Sequence, residues 1–379
     1  MATPTSKQQP RELKVGILGG GQLARLLLQS PQIKHLQAHV LSESPDDPAA
    51  QICEHWHRGS GKNLEDLTLF LQTVDLLTFE SEFFDTSLIE KALHVVRKPN
   101  MQCFPSLRAM HVLQDRRSQK ETLSTYRIPT APFAPVNSIS ELEGVWKLFN
   151  GPFVLKKAQG GYDGNGTWYV NSVADIHSHQ IKWQGPYLAE QKIEFHRELA
   201  IIAFRNLQGQ VTFFPLVETV QKNSRCDYVV GPIKHPSLEA MKESLTRMLE
   251  GIDYVGAMGI EFFETPQGLL VNELAPRVHN TGHYSTEGLQ YSQFDFHWLA
   301  GLGKPFPDNK TTAPFFVMTN LIGENGKEFV VPSGIKGAIY WYGKKENRAG
   351  RKMGHINYTG QTKDALLDLA LNERKEISR

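Results

Sequence analysis

Apolar and polar positions divide the chain into two regimes. "LKVGIL" (Leu13 to Leu18) is a solid apolar run, followed by three glycines and then "QLARLLLQS", whose apolar positions recur at helical spacing. This predicts a buried strand, a glycine turn and a helix, the opening of a βαβ unit. Short runs such as "AHVLS" and "VDLLTF" alternate with helical stretches up to about residue 105, the pattern of a parallel sheet. "PSLRAMHVLQDRRSQKETLSTY" predicts one long helix, and the prolines of "RIPTAPFAPV" a connection, so a domain boundary falls near residue 110. Beyond it "PFVLKK", "GTWYV", "YLAEQKI", "ELAIIAF" and "VTFFPLV" are closely spaced, as in an antiparallel sheet. A helix over about Leu238 to Leu249 leads to "VGAMGIEFFETPQGLLVNELAP", two strands around a Thr-Pro-Gln-Gly turn. From about residue 315 onward the pattern predicts short strands.

Composition narrows the class. A chain of 379 residues has room for two or three domains. A net charge of +1 gives no global pull toward nucleic acid or a membrane surface. Cys53, Cys103 and Cys226 show no paired spacing, so neither a disulfide framework nor a zinc site is expected, and a reducing cytoplasm fits best. No apolar run has the length to span a bilayer, and the polar leader "MATPTSKQQPRE" reads as a frayed tail.

Candidate chemistry starts at the hairpin. With the turn centred on Gln267, residues whose numbers sum to 534 face each other, and Glu261 lies opposite Glu273. Paired carboxylates repel unless a cation lies between them, and magnesium, which shares its ligands with phosphates, is the natural one. Two solvent-facing glutamates are the alternative.

Two glycine clusters point to phosphate. Lys156 and Lys157 end a strand just before Gly160, Gly161, Gly164 and Gly166, a loop whose amides can approach phosphate and whose tip carries Tyr162 and Asp163. It is not a Walker loop, because no Gly-Lys-Ser/Thr follows. The first cluster, Gly19-Gly20-Gly21-Gln22-Leu23-Ala24 with Glu43 beyond it, fits a dinucleotide fingerprint and hence an NAD-binding oxidoreductase, or a phosphorylated substrate. Arg348, Arg351, Lys352 and His355 in "KKENRAGRKMGH" suit a sugar phosphate or a solvated face.

In this order, "GILGGGQLARLL", "PSLRAMHVLQDRRSQK", "GGYDGNG", "GLLVNELAPRVHNTGH" and "GRKMGH" resemble the ATP-grasp superfamily, and within it the 5-(carboxyamino)imidazole ribonucleotide synthases of purine biosynthesis. The resemblance runs from about Leu13 to Thr359. It implies an α/β and α+β architecture: a Rossmann-like pre-ATP-grasp domain, a central lid with a nucleotide-binding sheet, and a small C-terminal domain. The expected divisions are a tail over 1–12, then 13–112, 113–305 with the lid at about 125–190, and 306–379. Implied too is an ATP- and Mg2+-dependent ligase that converts bicarbonate to carboxyphosphate and carboxylates aminoimidazole ribonucleotide. Another ATP-grasp carboxylating ligase is the nearest alternative.

By the same resemblance Arg116, Lys120 and Lys156 contact the ATP phosphates, Glu190, Gln191, Lys192 and Ile193 form the adenine strand, Glu198 meets the ribose, and Asn272 joins the nucleotide site. Glu261 and Glu273 hold the metal. Tyr162 and Asp163 meet the imidazole nucleotide and bicarbonate, Arg277, His279 and Asn280 form the bicarbonate pocket, and Gly21, Gln22, Leu23, Lys344, Arg351 and Lys352 cradle the substrate 5'-phosphate. The family implies a cytoplasmic homodimer whose product passes to a separate mutase, with no nucleic acid or membrane partner. One departure is Asn165, where the family usually carries arginine or lysine.

Overall fold

The computed structural model describes residues 12–161, 165–177, 183, 185–326 and 328–377. Tyr162, Asp163 and nearly all of the leader lie outside the described residues. Among those described, three sheets carry the fold.

The first sheet contains β1 (Lys14–Leu18), β2 (Gln37–Ser42), β3 (His55–Arg58), β4 (Leu76–Phe79) and β5 (Gln102–Phe104), with α1 (Gln22–Leu28), α2 (Leu64–Thr73) and α3 (Thr86–Val95) between strands. All pairings are parallel, in the order β3-β2-β1-β4-β5. Chain direction across the sheet reverses between β1 and β4, and ligands of such sheets bind at the carboxyl ends of the strands beside that switch. The glycine turn after β1 lies there.

The single long helix expected after residue 105 is two helices, α4 (Leu107–Leu113) and α5 (Arg116–Thr125). Asp115 breaks it: its carboxylate accepts from the amides of Arg117 and Ser118, which makes it the cap that restarts the helix. Arg116 becomes the first residue of α5.

The second sheet joins β6 (Phe133–Val136), β7 (Phe153–Lys157), β8 (Thr167–Val170) and β9 (Tyr187–Gln191) in the antiparallel order β6-β9-β7-β8. Its inward residues Phe153, Leu155 and Tyr187 pack on α6 (Leu142–Phe149) and α7 (Val173–His177).

The third sheet holds β10 (Arg197–Arg205), β11 (Val211–Phe213), β12 (Val217–Lys222), β13 (Arg225–Gly231), β14 (Gly256–Thr265), β15 (Gly268–Ala275), β16 (Phe315–Ile322), β17 (Ala338–Trp341) and β18 (Lys352–Gly360). Helices α8 (Leu238–Gly251), α9 (Ser285–Gly288), α10 (Gln293–Gly301) and α11 (Lys363–Ile377) accompany it. "VTFFPLV" is two strands rather than one, divided around Pro215, which has no amide to donate to a ladder. The C-terminal segment corrects the expectation of short strands: β16 and β18 have 8 and 9 residues, and α11 adds 15 residues of helix. β16 pairs with β13, so this segment extends the third sheet.

Strand β10 explains why the sheet has two covered faces. Ala200, Ile202 and Phe204 pack into the core shared with α1 and α10, while Leu199, Ile201 and Ala203 pack into the core under α4, α5 and α8. The period of two assigns successive residues to opposite cores, and polar residues on the first face near β14 and β15 open into the site.

Candidate active site

Glu261 pairs with Glu273 across β14 and β15, but not by the symmetry the turn suggested. Next to the turn the register sums to 533, with Thr265 opposite Gly268 and Phe262 opposite Val271; a bulge then shifts it by one residue. Leu269 and Val271 face the core under α8, and strict alternation would bury Glu273 with them. The bulge at Asn272 gives that place to Leu274 and turns Glu273 to the face of Glu261. Burial, reinforced by the Glu273 and Glu198 carboxylates, pushes Glu261 up to about 7. Glu273 is held by Arg116, whose Nη2 lies 2.7 Å from its Oε1. The donor set, two hard carboxylates that repel each other, fits a divalent cation.

Both lysines expected at phosphate meet the bulged residue. Lys156 Nζ donates to Asn272 Oδ1 and to Glu190 Oε2, each at 3.0 Å. Lys120 Nζ donates to the Asn272 carbonyl at 3.1 Å and lies 3.5 Å from Glu190 Oε1. Burial and the nearby Lys156 bring Lys120 down to about 8 against the opposing pull of Glu190. Burial alone would raise Glu190, yet Lys156 and Lys120 outweigh it and hold the carboxyl below its ordinary value. Arg116 also donates to the carbonyls of Lys157 and Gly161, at the foot of the glycine loop.

Of the expected adenine strand, Glu190 points inward to the lysines. The amides of Gln191 and Lys192 donate to Pro132 and Pro152 carbonyls, and Ile193 follows the end of β9. Glu198 lies on the Glu261 face of the sheet, and burial raises its pKa.

The segment after β15 brings a third group into place. Arg277 forms a two-bond pair with Glu82, from the carboxyl end of β4. His279 Nε2 lies 3.9 Å from Glu261 Oε1, and burial, then Arg277 and Lys352, keep the imidazole neutral. A Cβ on Gly259 would stand 2.5 Å from the His279 Cβ, so glycine there admits the side chain. Asn280 is buried and exchanges amide bonds of 3.0 and 2.8 Å with Asn320.

At the first glycine turn Glu80 occupies the start of α1, accepting from the Gly21 amide at 2.8 Å and the Ala24 amide at 3.4 Å. Gly19 has φ of +99°, and a Cβ there would strike Glu80 at 2.4 Å. A carboxylate already sits where a dinucleotide pyrophosphate would lie, and Glu43 bonds to Ser60 instead. Gln22 meets the C-terminal segment: Lys344 Nζ donates to Gln22 Oε1 at 2.5 Å and to the Lys352 carbonyl at 2.6 Å. Leu23 is buried, and Arg351 donates to the Glu346 carbonyl. His355, expected beside these basic groups, is instead fully buried and bonded to the Tyr342 hydroxyl.

Comparison with known proteins gives this arrangement a family. Residues 13–114 match the ribonucleotide synthetase preATP-grasp domain, 121–294 the ATP-grasp domain, and 317–368 the phosphoribosylaminoimidazole carboxylase C-terminal domain. The chain is 34% identical over 352 residues to the N5-carboxyaminoimidazole ribonucleotide synthase of Synechococcus elongatus, covering 90% of this chain and 88% of that one. The chain belongs to the N5-carboxyaminoimidazole ribonucleotide synthase family. Two solved synthases of Aspergillus clavatus are similar throughout. One, complexed with ATP, has 32% identity and a TM-score of 0.85, covering 97% of this chain and 99% of that one. The other, with ADP and 5-aminoimidazole ribonucleotide, has 30% identity and a TM-score of 0.86 over the same shares.

Sequence patterning gave no hint of several residues at this synthase-type site. Glu80 and Glu82 were visible only as an acidic end to the "VDLLTF" strand, a place where parallel sheets put ligand groups. Asn320 and Gln293 carry no motif at all; only the folded chain brings them to Asn280 and His279. No helix among the described residues is long and apolar enough to cross a membrane.

Proposed function

We propose that the chain catalyses ATP-dependent carboxylation of 5-aminoimidazole ribonucleotide by bicarbonate. A bicarbonate oxygen attacks the γ-phosphorus and the bond to ADP breaks, giving carboxyphosphate. Loss of phosphate leaves carbon dioxide, to which the exocyclic amine adds with release of a proton. The observation that carries this reading is the Glu261 and Glu273 pair, flanked by Lys156 through Asn272 and by His279. Glu261 and Glu273 would hold Mg2+, which when bound neutralises charge on the transferring phosphoryl group.

The chain's own residues account for the rest. Lys156 and Lys120 place positive charge where phosphate oxygens lie, and Arg116 ties the glycine loop to Glu273. Arg277, oriented by Glu82, with neutral His279 and Asn280 presents donors to bicarbonate. Gln22 with Lys344, Arg351 and Lys352 receives the substrate phosphate, and Tyr162 and Asp163 meet the imidazole nucleotide and bicarbonate. The family also supports a cytoplasmic homodimer and a separate mutase that consumes the carbamate product.

The deciding experiment is ADP release with ATP, magnesium and bicarbonate, with and without aminoimidazole ribonucleotide. ADP formation should rise sharply with that nucleotide and match carbamate product one to one; no stimulation would overturn the reading. Asn165, exposed within the glycine loop, is expected to matter little: Asn165→Arg should lower the bicarbonate KM by no more than about fivefold.

Lys120 supplies a further prediction. Phosphate anions beside its ammonium should lift its pKa from about 8 toward its ordinary value of about 10.4. On nucleotide binding Lys120 itself should then take up about half a proton at pH 8 and almost none at pH 6.5, where it is already charged. Calorimetry in buffers of different ionisation enthalpy measures this share as the difference in proton uptake between wild type and a Lys120→Met variant.

A further inference from the structure

Residues 277 to 280 follow β15 and pair with no strand among the described residues, yet the expected bicarbonate pocket requires them to hold one shape. Arg277 is held by Glu82 and Asn280 by Asn320, while His279 between them is held by the first residue of α10. Gln293 Oε1 accepts from the His279 amide and Gln293 Nε2 donates to the His279 carbonyl, each at 2.8 Å. One carboxamide thus plays the part of a neighbouring strand and holds His279 extended, at φ −128° and ψ 150°.

The amide itself has only one orientation that satisfies its surroundings. Its Nε2 also lies 2.8 Å from His283 Nδ1. The second N–H of Gln293 meets this ring nitrogen as an acceptor, which the neutral imidazole supplies when its other nitrogen carries the proton. Flipping the amide would set oxygen against the His279 carbonyl and N–H against the His279 amide. The frame behind it is rigid: every residue of α10 is buried, Ser292 and Asp295 form a capping box, and the Gln293 amide donates to Ser285 Oγ at 2.9 Å.

We infer that Gln293 is a positioning residue for carboxylation: it fixes the His279 backbone, and so the placement of the His279 imidazole over Glu261, with His283 fixing the orientation of the Gln293 amide. This rests on the proposed function only for what the positioned residues bind; the clamp itself is geometric.

Gln293→Glu keeps the shape and the acceptor for the His279 amide but sets a carboxylate oxygen against the His279 carbonyl. The bicarbonate KM should rise about tenfold while the ATP KM stays within twofold, and the His279 ring resonances should shift in NMR spectra. His283→Phe, which retains Gln293 but frees its amide to flip, should raise the bicarbonate KM about threefold and decides the matter if the first variant does not fold. An unchanged bicarbonate KM together with unmoved His279 resonances in a folded variant would overturn the inference, as would a parallel rise in the ATP KM. A wild-type protein that forms no ADP in response to bicarbonate and the imidazole nucleotide would instead overturn the proposed function. The His279 resonances would still test the clamp.

Discussion

Glu273→Gln is expected to lower kcat by about three orders of magnitude and to leave the fold standing. The glutamine retains the shape of the side chain and can still accept from Arg116, so the Arg116 contacts to Lys157 and Gly161 have no cause to break. It removes one of the two charges facing each other across the bulged hairpin. Half of the anionic donor set for the phosphoryl-neutralising cation goes with it, and uncharged oxygen is a poor substitute for a hard divalent ion. The same change relieves Glu261 of the neighbour that helps raise its pKa, so Glu261 should ionise more readily in the variant. Steady-state ADP release measures the effect, with circular dichroism and a thermal melt as controls. The midpoint should move by only a few degrees, because Glu273 is about one-third exposed (34%). A variant that turns over at the wild-type rate would exclude this pair as the centre of the chemistry.

The role of the hairpin was legible in sequence, though for a reason that the structure revises. Two glutamates near one turn are visible at once, but the turn's own register assigns them to different faces, and the one-residue bulge at Asn272 brings them together. A bulge leaves no periodic trace, because it interrupts the period by which strands are recognised. The first βαβ unit was legible because a continuous apolar strand, a glycine turn and a helix are local features. The helix break was written too: Asp115 ahead of "RRSQ" is a cap signal, outweighed in the pattern by the apolar spacing on either side. Helix α11 likewise has local evidence in "KDALLDLALNERKEI", a run of strong helix formers. What sequence does not carry is partnership across long separations. Gln22 meets Lys344 across 322 positions, and Arg277 meets Glu82 across 195. Topology alone sets these pairs.

Glu190→Gln is expected to destabilise the nucleotide-free protein by about 3 kcal/mol, the cost of leaving a buried charge without its partner. Glu190 is the only carboxylate among the described residues within salt-bridge distance of both Lys120 and Lys156, and it is 3% exposed. Without it, Lys120 at 2% exposure must either remain charged next to another ammonium or give up its proton. Its folded-state pKa, already depressed to about 8, would fall further below the unfolded value. A lysine with a depressed pKa contributes stability at high pH that is lost as pH falls through its folded value. The defect relative to wild type should therefore be greatest below the variant's Lys120 pKa, shrink as pH rises to about 8, and stay level above it, where both folded proteins hold Lys120 neutral. Two controls separate this from a packing fault. ATP should raise the melting temperature of Glu190→Gln more than that of wild type, since phosphate replaces the missing anion. The double variant Glu190→Gln with Lys120→Met should recover much of the lost stability while remaining inactive, because removing the second charge removes the conflict but also a phosphate contact. A Glu190→Gln protein as stable as wild type at pH 7, with no added response to ATP, would show that the two lysines share a counterion other than Glu190.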